Sequence, residues 1–256
     1  MILVYDGSFE GLLSCVFVAV KERLQPHAIA SETAFQSSLL DEIKRVPTDD
    51  DKAARVLKGV AERGGENLEL LLFKIFLSEL PEREQLCYNL IGAVITNKNA
   101  EVLKNYANPD MLRIAQIEKM INREVHRMHA FVRFQKTRDE LFYAVINPDF
   151  NVLPLIGEHF EKRYADQGWL IFDGHRHYGI YYDKERVRFV SDEDPACAQL
   201  INSGQASSQY DAQENEYQIL WQQYFKSVNI QARNNKKLHL RHMPRRYWKY
   251  LTEKWV

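Results

Sequence analysis

Cysteine, glycine and proline are scarce in this chain, and neither sign of charge predominates. The three cysteines, Cys15, Cys87 and Cys197, lie far apart and are odd in number, so the sequence indicates neither a disulfide framework nor metal-ligand spacing. Glycine and proline number 11 and 8 among 256 residues, and the sequence contains no low-complexity block. The 34 basic residues nearly equal the 35 acidic ones, so any attraction to a polyanion must come from local clusters of charge.

Long hydrophobic runs are also missing. The longest apolar run near the N-terminus, Leu12–Val20, is interrupted by Ser14 and followed by Lys21. Such a run is too short to span a bilayer, and no basic leader precedes it. We therefore expect neither a signal peptide nor a membrane anchor, and we expect a cytoplasmic protein that does not bind membranes.

What the chain does contain is ordinary for a globular protein. Hydrophobic residues make up 45% and charged residues 27% of its 256 residues, enough for one large domain or two small ones with a sizeable core.

The hydrophobic periodicity predicts an α+β protein with three successive parts. Residues 1–130 read as a strand, tight turn and helix followed by a helical region, because apolar residues recur with helical spacing. Residues 131–200 read as a hairpin–helix–hairpin module with a small antiparallel sheet and packed helices, and its first strand is expected at 131–135. Residues 211–256 read as a basic helical segment packed on the core.

Positive charge is concentrated in two stretches. Residues 226–256 contain nine bases and one acid, a net +8, and residues 113–138 contain seven bases and two acids, a net +5. Such asymmetry is typical of proteins that bind a polyanion. A solvated basic surface without a partner is the alternative.

The basic tail supplies most of the candidate nucleic-acid-binding residues. Its bases are suited to neutralising phosphates, its asparagines to reaching base edges or backbone, and its aromatic residue to stacking on unpaired bases. The predicted residues are Arg233, Asn234, Lys236, Lys237, Arg245, Arg246, Trp248 and Lys249. Alternatively, Tyr247, Trp248 and Leu251 pack a terminal helix onto the core, as aromatic residues in helices usually do.

The mid-chain stretch from Arg123 to Gln135 supplies three more candidates. We predict Arg127 and Arg133 as phosphate contacts and His129 as a hydrogen-bonding or proton-transfer group. If residues 131–135 form a strand, Arg133 and Gln135 project together beside His129. The alternative is that the histidines satisfy backbone carbonyls at the end of a helix.

Motifs for metal or nucleotide chemistry are not found. The histidines have no ligand set that zinc requires, and the stretch Asp6–Gly11 matches neither common phosphate-binding pattern. Asp6 and Glu10 form either a carboxylate pair for acid/base work or, more simply, part of a helix cap made with Ser8. We therefore expect no metal and no cofactor, and enzymatic activity stays an open question.

Four stretches together resemble one bacterial family. They are Tyr5–Leu13, Arg123–Phe134, Val152–Ile156 with His159-Phe160, and Met243–Lys249. They resemble DNA-metabolism proteins that accompany a radical SAM protein of DNA modification or repair, and in some relatives this domain is joined to a uracil-DNA glycosylase-like domain. The resemblance covers nearly the whole chain and implies no catalytic residue. This chain lacks both the clustered three-cysteine pattern of radical SAM enzymes and a glycosylase motif.

These observations predict a nucleic-acid-binding accessory protein in DNA repair or modification, with DNA and a radical SAM protein as its partners. In this prediction the mid-chain and tail bases converge into one groove. Two alternatives remain at this point. One is an adaptor whose basic patch meets the partner without touching DNA. The other is an enzyme acting on a nucleotide or nucleobase, with Asp6, Glu10 or His129 as acid/base groups.

Overall fold

A computed structural model describes most of the chain and divides it into two compact units. The described residues are 1–35, 42–64, 67–97, 103–138, 140–193, 198, 211, 213–227, 240 and 242–254. The N-terminal unit is Met1–Ile121 and the C-terminal unit is Asn122–Val256. The boundary falls within one long helix, so that helix contributes to both units.

The N-terminal unit combines a small parallel sheet with helices. Its elements are β1 (Ile2–Tyr5), α1 (Phe9–Lys21), β2 (Ala28–Ser31), β3 (Ile43–Arg45), α2 (Asp50–Gly64), α3 (Asn67–Leu77), α4 (Arg83–Asn97) and the first part of α5 (Pro109–Phe131). The strands lie in the order β2-β1-β3, and both neighbours run parallel to β1. β1 is buried along its whole length, as expected of a central strand covered by helices.

Local chemistry explains where α1 begins. The Ser8 hydroxyl accepts a hydrogen bond from Gly11 N at 2.9 Å and so caps a free backbone donor of the first turn. The predicted strand, turn and helix at the start of the chain are therefore confirmed.

The C-terminal unit is built around a five-stranded sheet. After the end of α5 come β4 (Gln135–Lys136), β5 (Phe142–Ile146), α6 (Leu153–Arg163), β6 (Trp169–Asp173), β7 (Tyr178–Tyr182), β8 (Val187–Ser191), α7 (Glu214–Ser227) and two 3₁₀ segments, Arg245–Tyr250 and Thr252–Lys254. The strand order is β4-β5-β6-β7-β8. All five residues of the central strand β6 are buried, and an aromatic layer beside it includes Phe134, Phe160 and Trp169, with ring centroids 5.7–6.3 Å apart.

The α+β class is confirmed, but two details of the predicted sheet module are wrong. The sheet is mixed, because β5 and β6 pair in parallel on either side of α6. The first predicted strand, residues 131–135, is mostly not a strand: Phe131 ends α5, and Val132 N still donates to Met128 O at 3.1 Å. Pairing with β5 begins only at Gln135.

No helix among the described residues is long and apolar enough to cross a membrane. The three-part division of the chain stays a prediction, and residues 201–210, between its second and third parts, lie outside the described residues.

Candidate functional site

The described end of the basic tail, residues 242–254, packs on the C-terminal half of α5 and beside β5. Pro244 precedes the 3₁₀ segment Arg245–Tyr250. Tyr247 and Leu251 are buried, and the Tyr247 ring lies 5.4 Å from the ring of Phe131 at the end of α5. The packing role that the sequence suggested as an alternative is thus confirmed for Tyr247 and Leu251.

A buried carboxylate at Glu124 holds the tail in place. Its oxygens accept hydrogen bonds from the Tyr247 hydroxyl, from Asp149 N at 2.9 Å, from Arg127 Nη1 at 3.3 Å and from Arg246 Nη2 at 3.4 Å. Buried charges are stable only when paired and hydrogen-bonded, and Glu124 meets both conditions.

The charges around Glu124 balance. Arg246 also lies 2.5 Å from Asp149 Oδ2, so two arginines, Arg127 and Arg246, face two carboxylates. Burial and the hydrogen bond to Glu124 raise the pKa of the Tyr247 hydroxyl. Tyr247 therefore stays protonated and acts as a hydrogen-bond donor at neutral pH.

A second contact between α5 and the tail involves Glu253. Arg133 donates to its carboxylate from Nη2 at 2.8 Å and from Nε at 3.3 Å, and Trp221 Nε1 donates at 3.1 Å. Burial alone raises the pKa of the Glu253 carboxyl, but Arg133 and Trp221 outweigh burial and lower it overall. The Arg133 guanidinium also lies 5.6 Å from the centre of the Trp221 ring.

The mid-chain and tail bases therefore meet in space, but two buried acids lie between them. Arg127, Arg133 and Arg246 each bind a carboxylate. The expected projection of Arg133 beside His129 and Gln135 on one strand face is wrong, because Arg133 follows a helix end and turns to Glu253 and to the carbonyls of Ala130 and Val132.

The outer side of the tail combines cations with aromatic rings. Arg245 and Lys249 are exposed. The Arg245 guanidinium and the Lys254 ammonium lie 5.9 Å and 5.3 Å from the centre of the Trp248 ring, and the Lys249 ammonium lies 4.6 Å from that of Tyr250. The Trp248 indole N–H donates to Met243 O at 3.1 Å, which fixes the ring.

Four predicted tail residues, Arg233, Asn234, Lys236 and Lys237, lie outside the described residues.

His129 is packed against another histidine. Its ring stacks on the ring of His159 from α6, with centroids 3.9 Å apart and an interplanar angle of 14°. Burial and the nearby His159 and His126 lower the pKa of His129 to about 4. Among the described residues Nε2 of His129 is buried without a hydrogen-bond partner. A neutral, packed imidazole is a poor phosphate ligand and a poor proton donor at pH 7.

In the N-terminal unit, Asp6 is engaged in capping. Its carboxylate accepts hydrogen bonds from Ser8 N at 2.9 Å, Ser8 Oγ at 2.6 Å and Thr48 Oγ1 at 2.7 Å. Burial alone raises the pKa of Asp6, but these bonds outweigh burial and lower it overall. Glu10 is exposed. This arrangement favours the capping role of Asp6 over an acid/base pair. Among the residues that the structure describes, no group of three or more His, Cys, Asp and Glu side chains is placed to hold a metal ion.

Sequence reasoning missed Glu124, Glu253 and Trp221. The sequence contained one usable signal, because Glu124 and Arg127 are three residues apart and face each other on a helix. Glu253, the one acid in the basic tail, and the spacing of Tyr217 and Trp221 on one helix face were weaker signals.

Comparison with known proteins identifies a family for the chain. A solved structure, described as the DHH domain of a member of a family of ribosomal proteins, shares 12% identity over 77% of this chain and 74% of that chain, with a TM-score of 0.32. That likeness is too low to carry an argument. No curated protein matches the sequence. The profile of a domain of unknown function, DUF4130, matches residues 81–253, well over half of the chain, and the protein therefore belongs to that family.

Proposed function

We propose that this protein is a nucleic-acid-binding accessory protein of DNA repair or modification that acts together with a radical SAM protein. The arrangement of the segment Arg245–Tyr250 carries the proposal. Tyr247 holds the segment on α5, so that Arg245 and Lys249 are exposed beside the rings of Trp248 and Tyr250. Exposed cations neutralise phosphates, and aromatic rings stack on bases.

The charge of this segment supports the same function. Residues 245–254 contain four bases and one acid, a net +3. Because Arg127, Arg133 and Arg246 bind buried carboxylates, we give them a positioning role and assign phosphate contact to Arg245 and Lys249. His129, neutral and packed, has no phosphate contact in this proposal, and Arg233, Asn234, Lys236 and Lys237 extend the contact along the tail.

The radical SAM partner follows from the family resemblance of the sequence. Radical SAM enzymes hold an iron–sulfur cluster with closely spaced cysteines, whereas Cys15, Cys87 and Cys197 lie far apart in this chain. Cys15 and Cys87 are also buried. In the proposal, therefore, the redox chemistry belongs to the partner, and this chain contributes contact with the nucleic acid.

A charge-matched pair of variants tests the proposal. The double variant Arg245→Ala/Lys249→Ala removes two exposed cations beside aromatic rings. The control Lys162→Ala/Arg163→Ala removes the same charge from exposed residues of α6, where Arg163 lies 5.8 Å from the Tyr164 ring. We expect the first variant to weaken DNA binding and to reduce the slope of log K against log salt by about two. The control should bind like the wild type. Fluorescence anisotropy with single-stranded and duplex DNA over a salt series measures both quantities.

Two results contradict the proposal. If both double variants lose DNA affinity equally, DNA does not bind at a defined location on this protein. If the wild-type protein binds no DNA at low salt, the proposed function is wrong. A complex with the radical SAM protein that survives nuclease treatment, while neither component binds DNA, establishes the adaptor instead.

A further inference from the structure

Helix α7 presents large apolar side chains to solvent next to the tail. Tyr217, Leu220 and Trp221 are 60%, 59% and 40% exposed. Residues spaced by three and four positions lie on the same side of a helix, so these three side chains form one face. Several exposed apolar side chains that lie side by side often mark a binding surface, whereas single exposed apolar side chains are common on any protein.

This face is continuous with the cation-bearing tail. The Trp221 indole N–H donates to Glu253, and the next residue, Lys254, lies over the Trp248 ring at 5.3 Å. Glu253 and Lys254, which are consecutive residues, thus link the rings of Trp221 and Trp248. Both belong to the 3₁₀ segment Thr252–Lys254, which packs on α7. We call the rings of Tyr217, Trp221 and Trp248 the aromatic strip.

Cations lie over two of the three rings. The Arg133 guanidinium, which is paired with Glu253, lies 5.6 Å from the centre of the Trp221 ring, and Arg245 and Lys254 lie over Trp248. Residues 245–254 have a net charge of +3. The exposed Arg245 and the positive charge of this segment favour an occupant with negative charge over an apolar protein helix, and a nucleic-acid strand supplies that charge.

We propose that the aromatic strip binds an unpaired nucleic-acid strand, with successive bases stacked on its rings and phosphates contacting Arg245, Lys249 and Lys254. The inference rests on the proposed function and adds the form of nucleic acid that is bound. An unpaired strand offers the faces of its bases, whereas a duplex hides them within its stack and leaves only edges and phosphates accessible. Rings on an exposed helix face therefore contribute to binding an unpaired strand alone.

Two neighbouring substitutions on α7 separate stacking from general apolar contact. Tyr217→Leu removes a ring but keeps an apolar side chain, and Leu220→Ala removes apolar surface but no ring. The probe is a labelled oligothymidylate of about sixteen nucleotides, free or paired with its complement. We expect Tyr217→Leu to weaken binding of the free strand between about five-fold and about a hundred-fold, the effect of one lost stack. Leu220→Ala, which keeps every ring, should weaken free-strand binding by no more than about two-fold, and neither substitution should alter duplex binding.

The outcomes distinguish this inference from the proposed function. If Tyr217→Leu binds the free strand as the wild type does, or if Leu220→Ala loses as much affinity, the stacking role is wrong even when Arg245→Ala/Lys249→Ala still weakens DNA binding. Wild-type binding to duplex alone also overturns the inference and leaves the function intact. If the wild type binds neither the free strand nor the duplex, both the inference and the proposed function are wrong. Quenching of tryptophan fluorescence by the free strand but not by the duplex is the expected spectroscopic sign of stacking.

Discussion

Glu124 shows how one side chain can determine the arrangement of a surface. Its carboxylate is buried on α5 and accepts four hydrogen bonds, two of them from arginines. Removing one partner of a buried charge pair leaves the others desolvated and unpaired, which costs far more than the pair itself contributes. The positions of the exposed cations of the tail therefore depend on a buried acid that has no part in the proposed contact with nucleic acid.

Substitution of this acid should destabilise the C-terminal unit. We expect Glu124→Ala to lower its free energy of unfolding by about 3–5 kcal/mol, because Arg127, Arg246 and the Tyr247 hydroxyl lose their common acceptor. Urea denaturation at neutral pH measures the change. The control is Glu158→Ala on α6, which breaks an exposed ion pair with Lys162. An equal stability of the two variants would show that Glu124 does not support the tail, and Glu124→Gln provides a milder variant if the alanine protein does not fold.

The 3₁₀ segment Arg245–Tyr250 is too short to be stable alone. Segments of this kind gain their stability from packing, which here comes from Tyr247 and, one residue beyond the segment, from Leu251. Residues 245–251 thus combine two buried residues, Tyr247 and Leu251, with exposed cations over only seven positions. Its position on α5, not its own conformation, orients Arg245 and Lys249.

Truncation of the buried leucine should release the segment. Leu251→Ala removes a fully buried side chain, which typically costs about 2–5 kcal/mol. We expect trypsin to cleave after Arg245, Arg246 and Lys249 at least about ten times faster than in the wild type, because opening of the segment exposes these sites. Leu220→Ala, the same change at an exposed leucine of α7, should leave the rate unchanged. Mass spectrometry of early time points locates the cuts, and equal protection in both variants would contradict this view.

From the sequence, the positions of the helices and strands could be predicted better than the pairing of the strands in the sheets. Helices and the β6–β7 hairpin follow from local periodicity and turn residues. The parallel pairing of β5 with β6 depends on a crossover through α6, and the three-residue strand β3 is half-exposed, so neither leaves a local pattern. The same limit applies to the site. Burial of Tyr247 and Leu251 could be expected from their types, whereas the Glu124 contacts join residues more than 120 positions apart.

At the scale of the whole molecule, the two units differ in their spectroscopic groups. All four tryptophans, at positions 169, 221, 248 and 255, fall within Asn122–Val256. Tryptophan fluorescence therefore reports the unfolding of the C-terminal unit alone. This separation matters because a chain with two units need not unfold in one step.

The stability of the C-terminal unit should decrease as the solution becomes mildly acidic. The pKa of His129 is about 4 in the folded protein, below its ordinary value of 6.5, so the unfolded state takes up the proton more readily. The stabilisation is complete above pH 6.5 and is lost as the pH falls towards 4. After allowance for partial solvent exposure, we expect a loss on the order of 1 kcal/mol between about pH 7 and about pH 5.

Urea denaturation followed by tryptophan fluorescence at several pH values measures this loss. His129→Phe keeps a ring against His159 and should flatten the pH dependence over this range. His175→Gln, at an exposed turn, should retain the wild-type dependence. An unchanged pH profile for His129→Phe would assign the acid sensitivity to other groups.

The contacts of Glu124 and Arg133 also affect the order in which the protein forms during synthesis. Both residues leave the ribosome more than a hundred positions before Tyr247 and Glu253, their partners in the tail. Until those residues emerge, Glu124 cannot be enclosed with all of its counter-charges, and the end of α5 stays solvated. The nascent C-terminal unit therefore completes its fold late, and the surface proposed for nucleic acid is absent from any chain whose translation stops before the tail has been made.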